Sequence, residues 1–356
     1  MIIGIDLRFL ENNTYSHFAQ DLVKQLIHTQ TEIQFNIYTK NPDLFELDAS
    51  NFHVKYVNIE CGSIAEQTKF NTILKWDKNT VMVFFDHHKP LIYKWEYYTI
   101  LSGLKDIFYQ NFSNYFNKYK YLYLLEKNLK NSKKILCLDE NTKDELIERF
   151  NTIEEKITLL DWFFIGNDFK TEDKDITLDI RSKFQIWEKY LIYSGWDGIE
   201  KNLDRLIHVF HRLHKEGSPL DLVFLGWKIW KNIDLRHAVI ENDLQKNIHF
   251  IDSVKPWEEK LIYQQSIGVI FPSLYESFPF RLSNPLLLST PILSSKLANI
   301  EHVFWSSITY FSPISTTSIL EAVKLFMQTS TKANYTKILE KNNIENTSKQ
   351  LIDIIR

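Results

Sequence analysis

The stretch PSLYESFPFRLSNPLLLSTPILSS, residues 272–295, joins the end of one apolar run to the start of another and carries a lone carboxylate, Glu276, between them. The run that leads into it, IGVIFP, and the run that closes it, PILSS, are short and rich in branched or aromatic residues, the composition of buried strands. Between them, Asn284 and Pro285 have the chemistry of an N-cap followed by proline in the first helical turn. The stretch therefore reads as strand, loop, helix, strand, with the helix starting at the carboxyl edge of a sheet. Free backbone N–H groups at such a helix start favour an anion. Glu276, across the same loop, is placed to accept hydrogen bonds from sugar hydroxyls. The same residues also fit a plain turn into a helix beside a solvated glutamate.

The pattern repeats outward. Strand-like IIGID, IQFNIY, HVKYVNI, VMVFF, ILCLD and ITLLD alternate with helical patterns at 15–29, 63–75 and 141–150. After a polar, charged stretch at 166–184, the alternation resumes with YLIYS, LDLVFLG, NIHFI, IGVIFP and PILSS, separated by helical patterns near 201–215, 234–244 and 257–265. Alternation of this kind predicts parallel strands with helices on both faces. The expected fold class is α/β: two Rossmann-like, doubly wound domains facing a cleft. The expected boundaries are 1–166 for the first domain, 167–187 for a linker, 188–314 for the second domain, and 315–356 for C-terminal helices that pack back toward the first. Leu320, Val323 and Met327 would form the packed face of the first of these helices. Ligands of doubly wound sheets bind beyond the carboxyl ends of the strands, so the residues to read follow VFF, YLIYS, VFLG and VIFP.

Composition narrows the function classes. A chain of 356 residues exceeds a comfortable single core, which agrees with two domains. A formal net charge of only -3 demands no polyanion, so nucleic acid is not an expected partner. Two cysteines, Cys61 and Cys137, do not make a disulfide framework, and a reducing, cytoplasmic compartment fits best. MIIGIDLRFL reads as a first strand and not a signal peptide, because an acid and an arginine interrupt its short apolar run. No stretch approaches the roughly 18 to 20 apolar residues of a spanning helix. Glycine is scarce, 9 residues in all, which matters because phosphate-cradling loops use it for close backbone approach.

Other strand ends carry candidates. After YLIYS comes GWDGIEKN, where Gly195 allows a tight turn and Lys201 stands at a helix start, against the dipole, a position an anionic ligand would explain. After VMVFF comes DHHKP, in which Asp86, His87 and His88 can exchange protons near neutral pH and Lys89 can attract an anion. A metal is not expected there, because no third ligand at a recognisable spacing accompanies the histidines. Asp173 and Asp175 fall in the linker, and Asp6 with Arg8 fits a local ion pair. Residues 92–134 interleave tyrosine, phenylalanine and lysine. They read as a core-facing helix with solvated lysines, or as a basic aromatic surface for anionic lipid headgroups.

GWDGIEKNLDRLIHVF, LDLVFLG, NIHFIDSV, IYQQSIGVIFPSLYESFPF and LSTPILSS, in this order, resemble the C-terminal domain of the family 4 (group 1) glycosyltransferases of the GT-B fold, over about residues 188–305. IIGIDLRFL and ILCLDENTKDELIERF are similar more loosely. The resemblance implies retaining transfer of a sugar from a nucleotide-diphosphate sugar to a saccharide or lipid-linked acceptor, with the first domain on the acceptor side, and no cofactor or metal. It implies that Glu276 contacts the transferred sugar, that Lys201 holds the diphosphate, and that a histidine of DHHKP approaches the reacting face. Gly195, Ser277, Phe278 and Asn284 complete the expected donor site.

The departures are specific. Asn284 stands where a second glutamate would bind the ribose, Trp196 where an arginine would help bind the diphosphate, and Ser277, Pro279 and Ser289 where the loop's glycines belong. Each hydrogen bond to a charged group is worth about 1.5–3 kcal/mol, so each loss weakens donor binding by roughly tenfold to a hundredfold. The alternative is a catalytically degenerate relative that serves as a binding or scaffold subunit. A partner transferase, and peripheral contact with the inner face of a membrane, stay open. A sugar-nucleotide epimerase on the same architecture has no residue pattern in its favour.

Overall fold

The computed structural model describes residues 1–356 except 11–13, 87, 105–114, 151–153, 164–178, 227–231, 253, 277–279 and 330. The chain divides into two compact units, Met1–Phe164 with Asn342–Arg356, and Ile165–Lys341.

The first unit is built on seven parallel strands: β1 (Ile2–Asp6), β2 (Gln34–Thr39), β3 (Phe52–Tyr56), β4 (Val81–Phe84), β5 (Tyr97–Leu101), β6 (Lys134–Cys137) and β7 (Ile157–Leu159). They lie in the order β3-β2-β1-β4-β5-β6-β7. The central strands are apolar on both faces because helices cover both, which is why they read as continuous hydrophobic runs. In register, Ile3 faces Phe35 and Val81, and Ile5 faces Ile37 and Val83. All these side chains are buried.

The second unit repeats the plan with β8 (Tyr190–Ser194), β9 (Asp221–Leu225), β10 (Ile248–Ile251), β11 (Gly268–Phe271), β12 (Ile292–Ser295) and β13 (Thr309–Phe311), in the order β10-β9-β8-β11-β12-β13. Its core joins Leu191, Tyr193 and Phe224 of the sheet to Leu206, Ile207 and Phe210 of the helix Leu203–Lys215. Each unit is thus a Rossmann-like, doubly wound domain.

Three expectations change. First, residues 92–134 are not one helical stripe. YYTIL is β5, fully buried in mid-sheet, and the helix among the described residues is Tyr115–Asn131. That helix buries Leu125 and Leu129 but leaves Tyr119 and Tyr123 exposed. Second, Thr309–Phe311 adds an edge strand, β13, too short to stand out as a run. Third, the C-terminal helices do not all pack toward the first unit. The helix Thr316–Thr329 stays with the second, packing Ile319, Leu320, Val323 and Phe326 into its core. Only Ile344–Ile355 belongs to the first unit. There it packs on the helix Thr14–Thr29, and Gln350 bonds the backbone of Asp161 and Leu159. Most of the expected linker, 167–178, lies outside the described residues; Ile180–Phe184 is a short helix of the second unit.

Both cysteines are free thiols, and Cys137 is buried. Among the described residues, no helix is long and apolar enough to cross a membrane.

Candidate functional site

The strand order of each sheet reverses once, between β1 and β4 in the first unit and between β8 and β11 in the second. Chains leaving adjacent strands at such a point go to opposite faces and open a crevice at the carboxyl edge, where ligands of these folds bind. In the second unit, the crevice is bounded by the turns after β8 and β11, which carry Gly195, Lys201 and Glu276.

The two turns are tied together. The amide of Leu274 donates to the carbonyl of Glu200 at 2.7 Å. Asn202, in left-handed conformation at φ 59°, donates to the carbonyls of Pro272 and Pro313. Lys201 closes a short turn, Ile199–Lys201, just ahead of the helix Leu203–Lys215. Its ammonium pairs with Glu276 Oε1 and lies 3.9 Å from Glu200 Oε1. All three side chains are buried. The anion that explains a lysine at this helix start is therefore supplied first by the chain itself. Ser273 Oγ also donates to Glu276 Oε1, at 2.6 Å, and the Asn299 amide holds the Glu276 carbonyl at 2.7 Å. Oε2 of Glu276 has no hydrogen-bond partner among the described residues.

Gly195 is required for a different reason than a tight turn. A Cβ there would stand 2.8 Å from the hydroxyl of Tyr193, which donates to the Trp196 carbonyl at 2.7 Å. Burial pushes the Tyr193 phenol well above its ordinary pKa. Glu276, Glu200 and Asp197 add to the rise, and Arg281 opposes it. All four charges thus act on one buried phenol.

Asn284 differs from expectation. A 3-10 turn, Phe280–Leu282, runs straight into the helix Ser283–Leu287, so the N-cap is Leu282 and Asn284 lies inside the first turn. Its amide donates to Glu259 Oε1 at 2.9 Å. Burial raises the Glu259 pKa, while that hydrogen bond and the charge of Arg281 hold it back. Ser289 adopts φ 55°, so a serine takes the left-handed geometry at one of the missing glycines. Ser277, Phe278 and Pro279 lie outside the described residues.

Arg281 carried no signal in the sequence. It is half-buried, and its guanidinium carbon stands 4.9 Å from the centroid of the Trp196 ring, a cation–π contact. Phe280 and Arg281 sit inside an apolar run with no spacing that marks a ligand. Only the folded turns bring Arg281 onto Trp196.

At the switch point of the first unit, His88 Nε2 lies 3.9 Å from Asp86 Oδ2; His87 lies outside the described residues. Lys89 is not an exposed anion-binding group. It is buried, with its ammonium 4.6 Å from the Tyr97 ring centroid and donating to the Pro90 carbonyl. Burial lowers its pKa to about 8. Asp6 and Arg8 form more than a local pair: Arg8, fully buried, reaches both oxygens of Asp6 at 2.9 and 2.8 Å, reaches Glu66 at 2.8 Å, and stacks on Phe70 at 3.6 Å. Among the described residues, no three His, Cys, Asp or Glu side chains group as metal ligands.

Residues 178–346 match the family described as glycosyl transferases group 1. The O-antigen chain mannosyltransferase RfbU of Salmonella typhimurium is 21% identical over 247 residues, which is 69% of this chain and 65% of that protein. The chain thus spans under two thirds of this curated relative. Among solved structures, a glycosyltransferase from Rickettsia africae superposes with a TM-score of 0.72 at 12% identity, covering 99% of this chain and 97% of that one. HepE of Anabaena, in complex with UDP-glucose, superposes with a TM-score of 0.74 at 9% identity, covering 100% and 99%. At such identities the two structures speak for the fold, the paired Rossmann-like domains of the GT-B type.

Proposed function

We propose that this chain, whose residues 178–346 match the group 1 glycosyl transferases, moves a sugar from a nucleotide-diphosphate sugar to a saccharide or lipid-linked acceptor. The observation that carries this reading is the Lys201–Glu276 pair at the switch point of the second unit, with Glu276 Oε2 left over to accept from a sugar hydroxyl. The pair fixes the carboxylate before any ligand arrives, and preorganised charge of this kind is where enzymes gain most of their rate. In the transfer, the bond from the anomeric carbon to the phosphate oxygen breaks and its electron pair leaves with the diphosphate. The acceptor oxygen bonds to that carbon and its proton passes to a base. Retention at the anomeric carbon is the outcome expected of the resemblance. His88 beside Asp86 is our candidate for the acceptor chemistry. The reading takes the nucleotide sugar as substrate and needs no further cofactor. The likeness to an O-antigen chain mannosyltransferase supports polysaccharide assembly as the setting.

Isothermal titration of the full chain with UDP-, GDP-, ADP- and dTDP-sugars tests the proposal. At least one donor should bind, and Glu276→Gln should weaken that donor about tenfold relative to its matching nucleoside diphosphate, a ratio from which the effect of unpairing Lys201 cancels. Absence of binding by every donor, or an unchanged ratio in the variant, would overturn it.

One observation favours the degenerate reading: Asn284, at the expected ribose position, is committed to Glu259. Release of nucleoside diphosphate from any donor by the purified chain eliminates that reading. Turnover only in the presence of a second transferase supports it.

A further inference from the structure

The cation expected to meet the diphosphate is already spoken for. Lys201 lies between two buried carboxylates, paired with Glu276 and 3.9 Å from Glu200. One ammonium against two carboxylates leaves a formal excess of negative charge, the opposite of what a diphosphate requires. Arg281 is in the reverse condition. Among the described residues, its guanidinium makes no hydrogen bond and no ion pair, and its contact is the face of Trp196 at 4.9 Å. Glu259, the nearby carboxylate whose titration it influences, is engaged by Asn284. A guanidinium held against an aromatic ring keeps its N–H donors free at the edge, in the planar fork that matches two phosphate oxygens.

Trp196 occupies the position where the resemblance places an arginine, and the arginine this chain does have lies on top of it. The two residues come from the two turns that bound the crevice, the one after β8 and the one after β11. Arg281 follows Glu276 by five residues in the segment after β11, and its charge acts on the buried Tyr193 phenol together with those of Glu276 and Glu200. We propose that Arg281, held against Trp196, is the residue that binds the diphosphate of the donor, the pair doing together what an arginine at 196 would do alone. The proposal rests on the nucleotide-sugar reading above and adds to it the source of the charge.

The test is titration of the full chain with UDP, GDP, UMP, GMP and inorganic pyrophosphate, in the wild type and in Arg281→Gln, Arg281→Lys and the double variant Arg281→Gln with Trp196→Arg. Arg281→Gln should weaken pyrophosphate and the bound nucleoside diphosphate by about tenfold or more and the monophosphate far less, because the lost contact is a charge-assisted fork. Arg281→Lys should recover part of the loss, since a point charge lacks the fork. Trp196→Arg in the Arg281→Gln background should recover most of it, which a residue that only packs would not. An unchanged thermal midpoint in Arg281→Gln shows that the fold is intact. Wild type that binds a nucleoside diphosphate with Arg281→Gln equal to it overturns this proposal alone. Wild type that binds none of the probes overturns both it and the reading beneath it.

Discussion

Lys201 and Glu276, 75 positions apart in the chain, meet as a buried ion pair at the point where the second sheet reverses its strand order. The pair welds the turn after β8 to the turn after β11, and Ser273 and Glu200 complete its shell. Removing one partner strands the other in a buried site, which costs about 3–5 kcal/mol. Lys201→Ala should therefore lower the denaturant midpoint of the second unit by far more than a surface substitution does. The double variant with Glu276→Ala should cost less than the sum of the singles. Additive losses would mean that the two groups do not interact.

Asn284→Ala should leave the affinity for nucleoside diphosphate within about threefold of wild type, because the amide is spent on Glu259 and the ligand loses no contact. Titration with the bound diphosphate measures it. A tenfold loss would return Asn284 to the ribose.

Lys89 gives a pH signature. Burial lowers its pKa from 10.5 to about 8, with Glu66 opposing the fall. Below pH 8 both folded and unfolded chains carry the charge, and the folded state bears the full cost of burying it. Between about 8 and 10.5, the folded chain has released a proton that the unfolded chain still binds, so stability from this group rises with pH. Lys89→Met should raise the melting temperature at pH 7 and lose that advantage progressively above pH 8. A constant difference across this range would show that the amine is not buried as charged.

Asp139 has the opposite sign. It caps the helix Glu140–Phe150, accepting from the Thr142 amide at 2.9 Å and the Thr142 hydroxyl at 2.6 Å, yet burial raises its pKa from 3.8 to about 7. A raised carboxyl contributes stability that is present at low pH and lost as pH rises through the folded value. Asp139→Asn keeps the acceptor for the Thr142 amide and removes the titration. Melting curves of wild type and variant should converge near pH 4 and separate by pH 7, with the variant higher. Parallel curves would contradict the assignment.

All strands but β5 and β13, and the turns that bear Lys201 and Glu276, were legible because a buried parallel strand is a local signal, an apolar run with a turn behind it. What stayed hidden depends on contacts between distant segments. YYTIL is as apolar as its neighbours, but its flanking tyrosines and lysines imitate a helical stripe, and only its place between β4 and β6 makes it a strand. Asn284 before Pro285 has the right cap chemistry, but the 3-10 turn Phe280–Leu282 moves the cap back to Leu282. Lys201 and Glu276 each read as a ligand group. That they would neutralise one another, and that Arg281 would settle on Trp196, follows from the meeting of two turns and from no spacing along the chain.

The most direct test of the donor site is a crystal structure of the full chain with the nucleoside diphosphate that binds best. The account predicts phosphate oxygens within hydrogen-bond distance of the Arg281 guanidinium, with Glu276 still paired to Lys201. A diphosphate bound elsewhere, or one lying in the crevice with Arg281 turned away from it, would contradict the account.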